Sequence, residues 1–122
     1  MIRSIVLGAA LSVAVTCAAL AADTIAGKYT YTGVYPDGGR YGDNGTLLIT
    51  SEPSGAYSVK WDSGEYVGIG QLVGRTLAVS TTYEKRPAIM LMDIEPNGDL
   101  SGRWWRRNDP GTKGRETWKR SK

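Results

Sequence analysis

Downstream of residue 26 the apolar and polar positions alternate in short runs, and no run keeps a 3.6-residue period. In AYSVKW, Tyr57, Val59 and Trp61 share one face while Ser58 and Lys60 share the other. In RTLAVST, Leu77 and Val79 point one way and Thr76, Ala78 and Ser80 the other. Period-2 runs rich in Tyr, Val, Ile, Thr and Trp predict strands with one buried and one wet face. PAIMLMDIE departs from this: Ala88, Met90, Met92 and Ile94 alternate with Ile89, Leu91 and Asp93, so both faces carry apolar residues. That strand is expected to be covered on both sides or to lie in a contact.

Turn signals recur about every ten residues: PDGG (36–39), EPSG (52–55), DSG (62–64), VGR (73–75), EKRP (84–87), PNG (96–98) and NDPG (108–111). Seven turns separate eight segments, the spacing of an all-β sandwich or barrel. Gly68 and Gly70 fall on the Tyr66 face of their strand, and Gly102 on the Trp104 face of its own. Glycines among large aromatics let rings cross a narrow interior and mark bends in coiled strands. Eight connected strands can close and remove exposed edges. The expected fold is an antiparallel up-and-down eight-stranded barrel, with a two-sheet β-sandwich as the alternative.

The first 22 residues have a different character. MIRSIVLGAALSVAVTCAALAA has an early cation, Arg3, an apolar run, and a small-x-small ending at Ala19-Leu20-Ala21. This is the pattern of a secretory signal peptide cleaved after Ala21 or Ala22. The run is short for a membrane anchor and no basic cluster follows it; Thr16 and Ala14 make a poor lipid-attachment site around Cys17. Residues 23–122 are then one exported domain, in the periplasm or outside the cell. Removal of the leader takes away the single cysteine, and the chain has no histidine. The exported domain therefore lacks a disulfide framework, a thiolate and the commonest general base and transition-metal ligand.

Charge is unevenly placed. Residues 22–100 carry six Lys/Arg against ten Asp/Glu, whereas residues 101–122 carry eight against two. The basic residues gather in GRWWRRNDPGTKGRETWKR (102–120), around one turn and a single glutamate. Along the last strand Lys113, Arg115, Thr117 and Lys119 alternate with Gly114, Glu116 and Trp118, so Glu116 and Trp118 are expected to point inward. A turn centred near Asp109-Pro110 would set Trp104 opposite Glu116 and Gly102 opposite Trp118, with Arg106 one diagonal from Glu116. An inward carboxylate needs partners, and Arg106 and tyrosine hydroxyls are the candidates.

Two sites follow. Trp61, Tyr66, Trp104, Arg106, Glu116 and Trp118 are candidates for a ligand pocket in the barrel mouth, the competing reading being a filled aromatic core capped by an ion pair. Arg103, Trp105, Arg107, Lys113, Arg115 and Lys119 form an outer face suited to an anionic polysaccharide, lipid or matrix protein, or a solvated face with arginines stacked on Trp105. Nucleic acid is disfavoured, because the domain lacks an overall basic footprint. The clusters PDGG, DNG and PNGD lack the spacing of a calcium loop and fall where turns need left-handed residues. No metal, phosphate-loop or cofactor motif is present. A hydrolase would have to pair Glu116 with a second acid such as Asp93 or Glu65.

The phrases G27-K-Y29, Y35-P-D-G38, G55-A-Y-S-V-K-W61, E65-Y-V-G-I-G70, N97-G-D-L-S-G102 and R115-E-T-W118 resemble those of small exported bacterial proteins, notably of alphaproteobacteria, often described as fibronectin-binding-like. That resemblance implies an exported barrel-like domain and carries over no site. Gly27-Lys28-Tyr29 is also similar to the Gly-x-Trp that opens lipocalin- and avidin-like (calycin) barrels. In those a basic residue late in the chain covers the ring; here Tyr stands for Trp. The expected function is non-enzymatic binding without a cofactor, or else a structural envelope role without a ligand.

Overall fold

A computed structural model describes residues 25–122. The expected signal peptide and its cleavage site lie outside them. The chain forms eight strands: β1 (Gly27–Val34), β2 (Arg40–Ser51), β3 (Tyr57–Trp61), β4 (Tyr66–Val73), β5 (Thr76–Tyr83), β6 (Arg86–Ile94), β7 (Leu100–Arg106) and β8 (Asp109–Arg120). Each pairs antiparallel with its sequence neighbour, and β8 returns to pair with β1, which closes an up-and-down barrel. Closure leaves no sheet edge to be protected. Among the described residues a single 3-10 turn, Asp62–Gly64, lies between β3 and β4. Among the described residues no helix is long and apolar enough to cross a membrane.

Three of the links share one design. Tyr35-Pro36-Asp37-Gly38-Gly39, Glu52-Pro53-Ser54-Gly55-Ala56 and Glu95-Pro96-Asn97-Gly98-Asp99 each bond their first N–H to the fifth carbonyl and the fourth N–H to the first carbonyl. Proline presets the first turn residue, and the glycine takes a φ of +91 to +94° that a side chain resists. Asp43-Asn44-Gly45, in contrast, is no turn. It lies within β2, where the β1–β2 register breaks between Tyr31 and Gly33.

The last link also differs from expectation. The chain reverses at Arg107-Asn108, with Arg106 opposite Asp109, and the register then breaks so that Trp104 faces Gly114. Gly102 consequently faces Glu116, and Leu100 faces Trp118, a shift of two residues. Pro110 has no N–H for the ladder, so the Asp109–Thr112 stretch is accommodated as a bulge in β8 and does not make the turn.

Parity within the strands is as the sequence pattern requires. Tyr57, Val59, Trp61, Leu77, Val79, Met90, Met92, Trp104 and Trp118 are buried. Ile89 is not covered, being 58% exposed on the convex side. The seven links and both ends of the chain define two poles. At one, Ile25, Tyr29, Ile49, Leu77, Met92 and Leu100 fill the lumen. Arg120 closes it, its guanidinium 5.6 Å over the Tyr29 ring and donating to Tyr29 Oη and the Ala26 carbonyl. This is the late basic residue over a first-strand ring that the calycin-like phrase implies. The other pole, bounded by the β1–β2, β3–β4, β5–β6 and β7–β8 links, is open.

Candidate functional site: an aromatic pocket over a buried glutamate

Glycines make room for rings at the open pole. A Cβ at Gly114 would overlap the indole of Trp104, and one at Gly33 would overlap the ring of Tyr41. Both rings therefore lie across neighbouring backbone, a packing that no larger residue at either position permits. Tyr35 packs 4.6 Å from Tyr41 and edge-on to Trp104 at 6.4 Å. These rings wall a cavity of about 300 Å³, near the lower limit of small-molecule sites.

Glu116 forms the floor and is 5% exposed. Its Oε1 accepts the indole N–H of Trp61 at 2.7 Å and that of Trp118 at 2.8 Å, and its Oε2 accepts the Tyr41 hydroxyl at 2.7 Å. Trp61 and Trp118 meet edge to face, 6.0 Å apart. Burial is the largest influence on the carboxyl and pushes its pKa up. The three donors pull it down, the charge of Asp62 pushes it up again, and the net direction is above the ordinary value of 4.5. Burial, together with the Glu116 charge, likewise pushes the Tyr41 phenol up, so it stays a donor. At the rim Tyr31 donates to Asp62 Oδ2 at 2.6 Å, and Asp62 Oδ1 accepts the Thr46 N–H at 3.3 Å.

Of the residues proposed from sequence for the pocket, Trp61, Tyr66, Trp104, Arg106 and Glu116 line the cavity. Trp118 lies beneath it, fully buried, and serves as a donor to the floor. Arg106 is not the partner of Glu116. It stands toward the rim, 5.4 Å over the Trp104 ring. The carboxylate is held instead by side chains of β2, β3 and β8. Sequence reasoning missed Tyr31, Tyr35, Tyr41, Asp62, Arg86 and Met90 in the lining. For Tyr31 a signal existed, since Tyr29, Tyr31 and Gly33 alternate with polar residues on β1; for Tyr41 the β1–β2 register break hid it.

Trp104 Nε1 is buried without a hydrogen bond. The Tyr41 oxygen is close enough for its acidity to feel that N–H, but the two do not meet in bonding geometry. Among possible second acids, Asp93 is on the convex side and accepts the Thr76 hydroxyl at 2.7 Å, outside the pocket, while Glu65 is at the rim. Arg103, Arg107, Lys113, Arg115 and Lys119 all point outward and are exposed; Trp105 is half-buried among them, with Arg103 and Lys113 over its ring at 5.7 and 6.0 Å.

No family model and no curated protein sequence matches the chain. The likeness to small exported bacterial proteins gains no support there. Several solved barrels share the fold. A redesigned β-barrel, b11L5F_LGL, superposes with a TM-score of 0.67 at 16% identity, over 84% of this chain and 96% of that one. The redesigned barrel mFAP1, solved bound to DFHBI, gives 0.65 at 15% identity, over 82% and 98%. The wild-type fluorescent protein UnaG gives 0.50 at 11% identity, over 81% and 98%. At these identities the likeness is one of fold alone, a closed eight-stranded up-and-down barrel.

Proposed function

We propose that this is a non-enzymatic binding protein that takes a compact, largely apolar ligand carrying an acidic group into the open pole of the barrel. The observation that carries it is the contrast inside one lumen: side chains fill one half, whereas a cavity of about 300 Å³ opens above Glu116 in the other. Its walls of Trp61, Tyr66, Met90 and Trp104 suit a flat apolar body. Arg86 and Arg106 line the same space, and among the described residues neither is paired with a carboxylate, whereas Asp62 already accepts two hydrogen bonds. An acidic group is therefore best met on the β6–β7 wall. Glu116 accepts three donors from the barrel wall itself, so it holds rings in place and is poorly placed to act on a substrate. That a barrel of this fold was solved with DFHBI bound is consistent with this reading. The leader-like residues 1–22 support an exported location, periplasmic or extracellular.

Titration with 1-anilinonaphthalene-8-sulfonate, an apolar aromatic anion, tests it through tryptophan quenching and probe emission. Saturable one-to-one binding is expected. Ala88→Phe, which fills the mouth from β6, should weaken it at least tenfold, while Arg86→Ala with Arg106→Ala should weaken it about tenfold, in line with two solvent-screened charge contacts of about 0.7 kcal/mol each at the rim. Binding that ignores Ala88→Phe would exclude the pocket, and a native mass spectrum of host-purified protein with no adduct and no probe binding would favour a structural envelope role.

A further inference from the structure

The convex side has an organisation that the pocket does not use. Ile69 on β4 pairs with Ser80 on β5, Ser80 with Ile89 on β6, and Ile89 with Trp105 on β7. This row lies on the outside of the barrel, one residue from the inward row Gly68–Thr81–Ala88–Arg106 that borders the open pole. Ile69 is 60% exposed, Ile89 58% and Val67, one step nearer the mouth, 55%. Val67 and Ile69 are same-face neighbours on β4, Ile89 adjoins Trp105, and only the small Ser80 separates the two pairs. Exposed aliphatic side chains gathered on one face of a small domain mark a contact surface, because each loses free energy in water.

Cations border the row on one side. Arg103 and Lys113 hold Trp105 between them, and Arg107 caps the hairpin at the mouth. Arg103 and Arg115 are direct cross-strand partners on this outer face. Like charges directly opposed are unfavourable, so an anionic partner would relieve a cost that the free protein carries. An aliphatic row beside a mouth, a tryptophan at its margin and a cationic flank together form the surface of an interfacial lipid binder.

We propose that the outer face of β4–β7, with the cations of β7 and β8, docks on the surface of an anionic lipid bilayer and holds the barrel mouth beside it. Other occupants explain less. An acidic polysaccharide would engage the arginines and leave Val67, Ile69 and Ile89 in water. A second copy meeting this face about a two-fold axis would bring two sets of unpaired cations together. Docking does not depend on what the pocket holds.

The test is vesicle flotation of residues 23–122, which contain the whole closed barrel and exclude the apolar leader. Vesicles of phosphatidylglycerol and phosphatidylcholine in equal parts are compared with phosphatidylcholine alone. The protein should float with the first, with a blue shift in tryptophan emission, and bind the second at least tenfold more weakly. Arg103→Glu with Arg115→Glu should weaken binding by about thirtyfold or more, each basic group near an anionic surface contributing about fivefold. Ile69→Ser with Ile89→Ser should weaken it about tenfold, since two partly inserted side chains are lost. Both pairs are solvent-facing, and circular dichroism with unchanged anilinonaphthalene sulfonate affinity confirms that fold and pocket survive. The proposal is overturned if the parent protein stays unbound, if the serine pair floats like the parent, if heparin retains a protein that no vesicle captures, or if the protein elutes as a dimer whose assembly the serine pair abolishes.

Discussion

The two poles of this barrel are built from the same eight strands and have opposite interiors. At the sealed pole the inward positions are Ile25, Ile49, Leu77, Met92 and Leu100, which fill space and carry no side-chain polar group needing a partner, and Tyr29, whose hydroxyl is satisfied by the Ile25 carbonyl and Arg120. At the open pole they are Tyr31, Tyr41, Trp61, Trp104 and Glu116, whose polar tips require partners and whose rings need glycines to lie on. The sealed half therefore gains mainly from burial, with Arg120 and Tyr29 as its one polar cap, whereas the open half depends on a network in which one carboxylate serves three donors. A cavity persists in the second half because Tyr31, Tyr41 and Trp61 are held by hydrogen bonds and the Trp104 indole lies against Gly114, so the rings do not collapse to fill it. The poles should consequently separate under mutation, one controlling stability and the other affinity.

The largest effect is expected where the halves join. Trp118 is fully buried between the aliphatic plug and the Glu116 floor. Trp118→Ala removes a large side chain and one donor to a buried carboxylate, and should cost on the order of 3–5 kcal/mol in urea unfolding. A loss below about 1 kcal/mol would mean that the plug and the floor are not mechanically joined.

Arg120→Ala tests the sealed pole by itself. It removes the donors to Tyr29 and to the Ala26 carbonyl and the stacking on the Tyr29 ring. The expected cost is about 1–3 kcal/mol, with affinity for anilinonaphthalene sulfonate unchanged within a factor of about two. A similar loss of affinity would show that the poles are coupled.

The inside and outside of each strand are legible in the sequence, whereas the division of the lumen into two poles is not. Seven turn signals, each with Gly or Pro, separate eight runs whose parity assigns Tyr57, Val59, Leu77, Val79, Met90 and Trp118 to the inside, because a strand has only two faces. The inward position of Glu116 followed from the same parity. Its partners did not, since Tyr41 and Trp61 are 75 and 55 residues away in the chain and reach it only because the barrel closes. Arg106 looked like a partner because it is near in sequence and opposite in charge; the bulge at Asp109–Thr112 shifts the hairpin by two residues, and the guanidinium stacks on Trp104 at the rim. Parity is a local property, whereas register and closure are set by bulges and by strands distant in sequence.

The smallest and most discriminating effect is at the floor of the open pole. The folded-state pKa of Glu116 is raised, chiefly by burial, above the value an unfolded chain would show. The folded form therefore holds its proton more tightly than the unfolded form does. The resulting stabilisation is complete below the unfolded value of about 4.5 and is lost as pH rises through the folded pKa, by about 1.4 kcal/mol for each unit of elevation. Glu116→Gln mimics the protonated acid: its carbonyl can accept both indole N–H groups, and its amide can donate to the Tyr41 oxygen. The variant should match the parent near pH 4 and exceed it in stability near pH 8, with a flatter profile between. Urea midpoints across that range measure this. A parent that instead becomes more stable with rising pH, by a slope that glutamine abolishes, would show that the three donors outweigh burial and that the floor of the pocket is a committed anion.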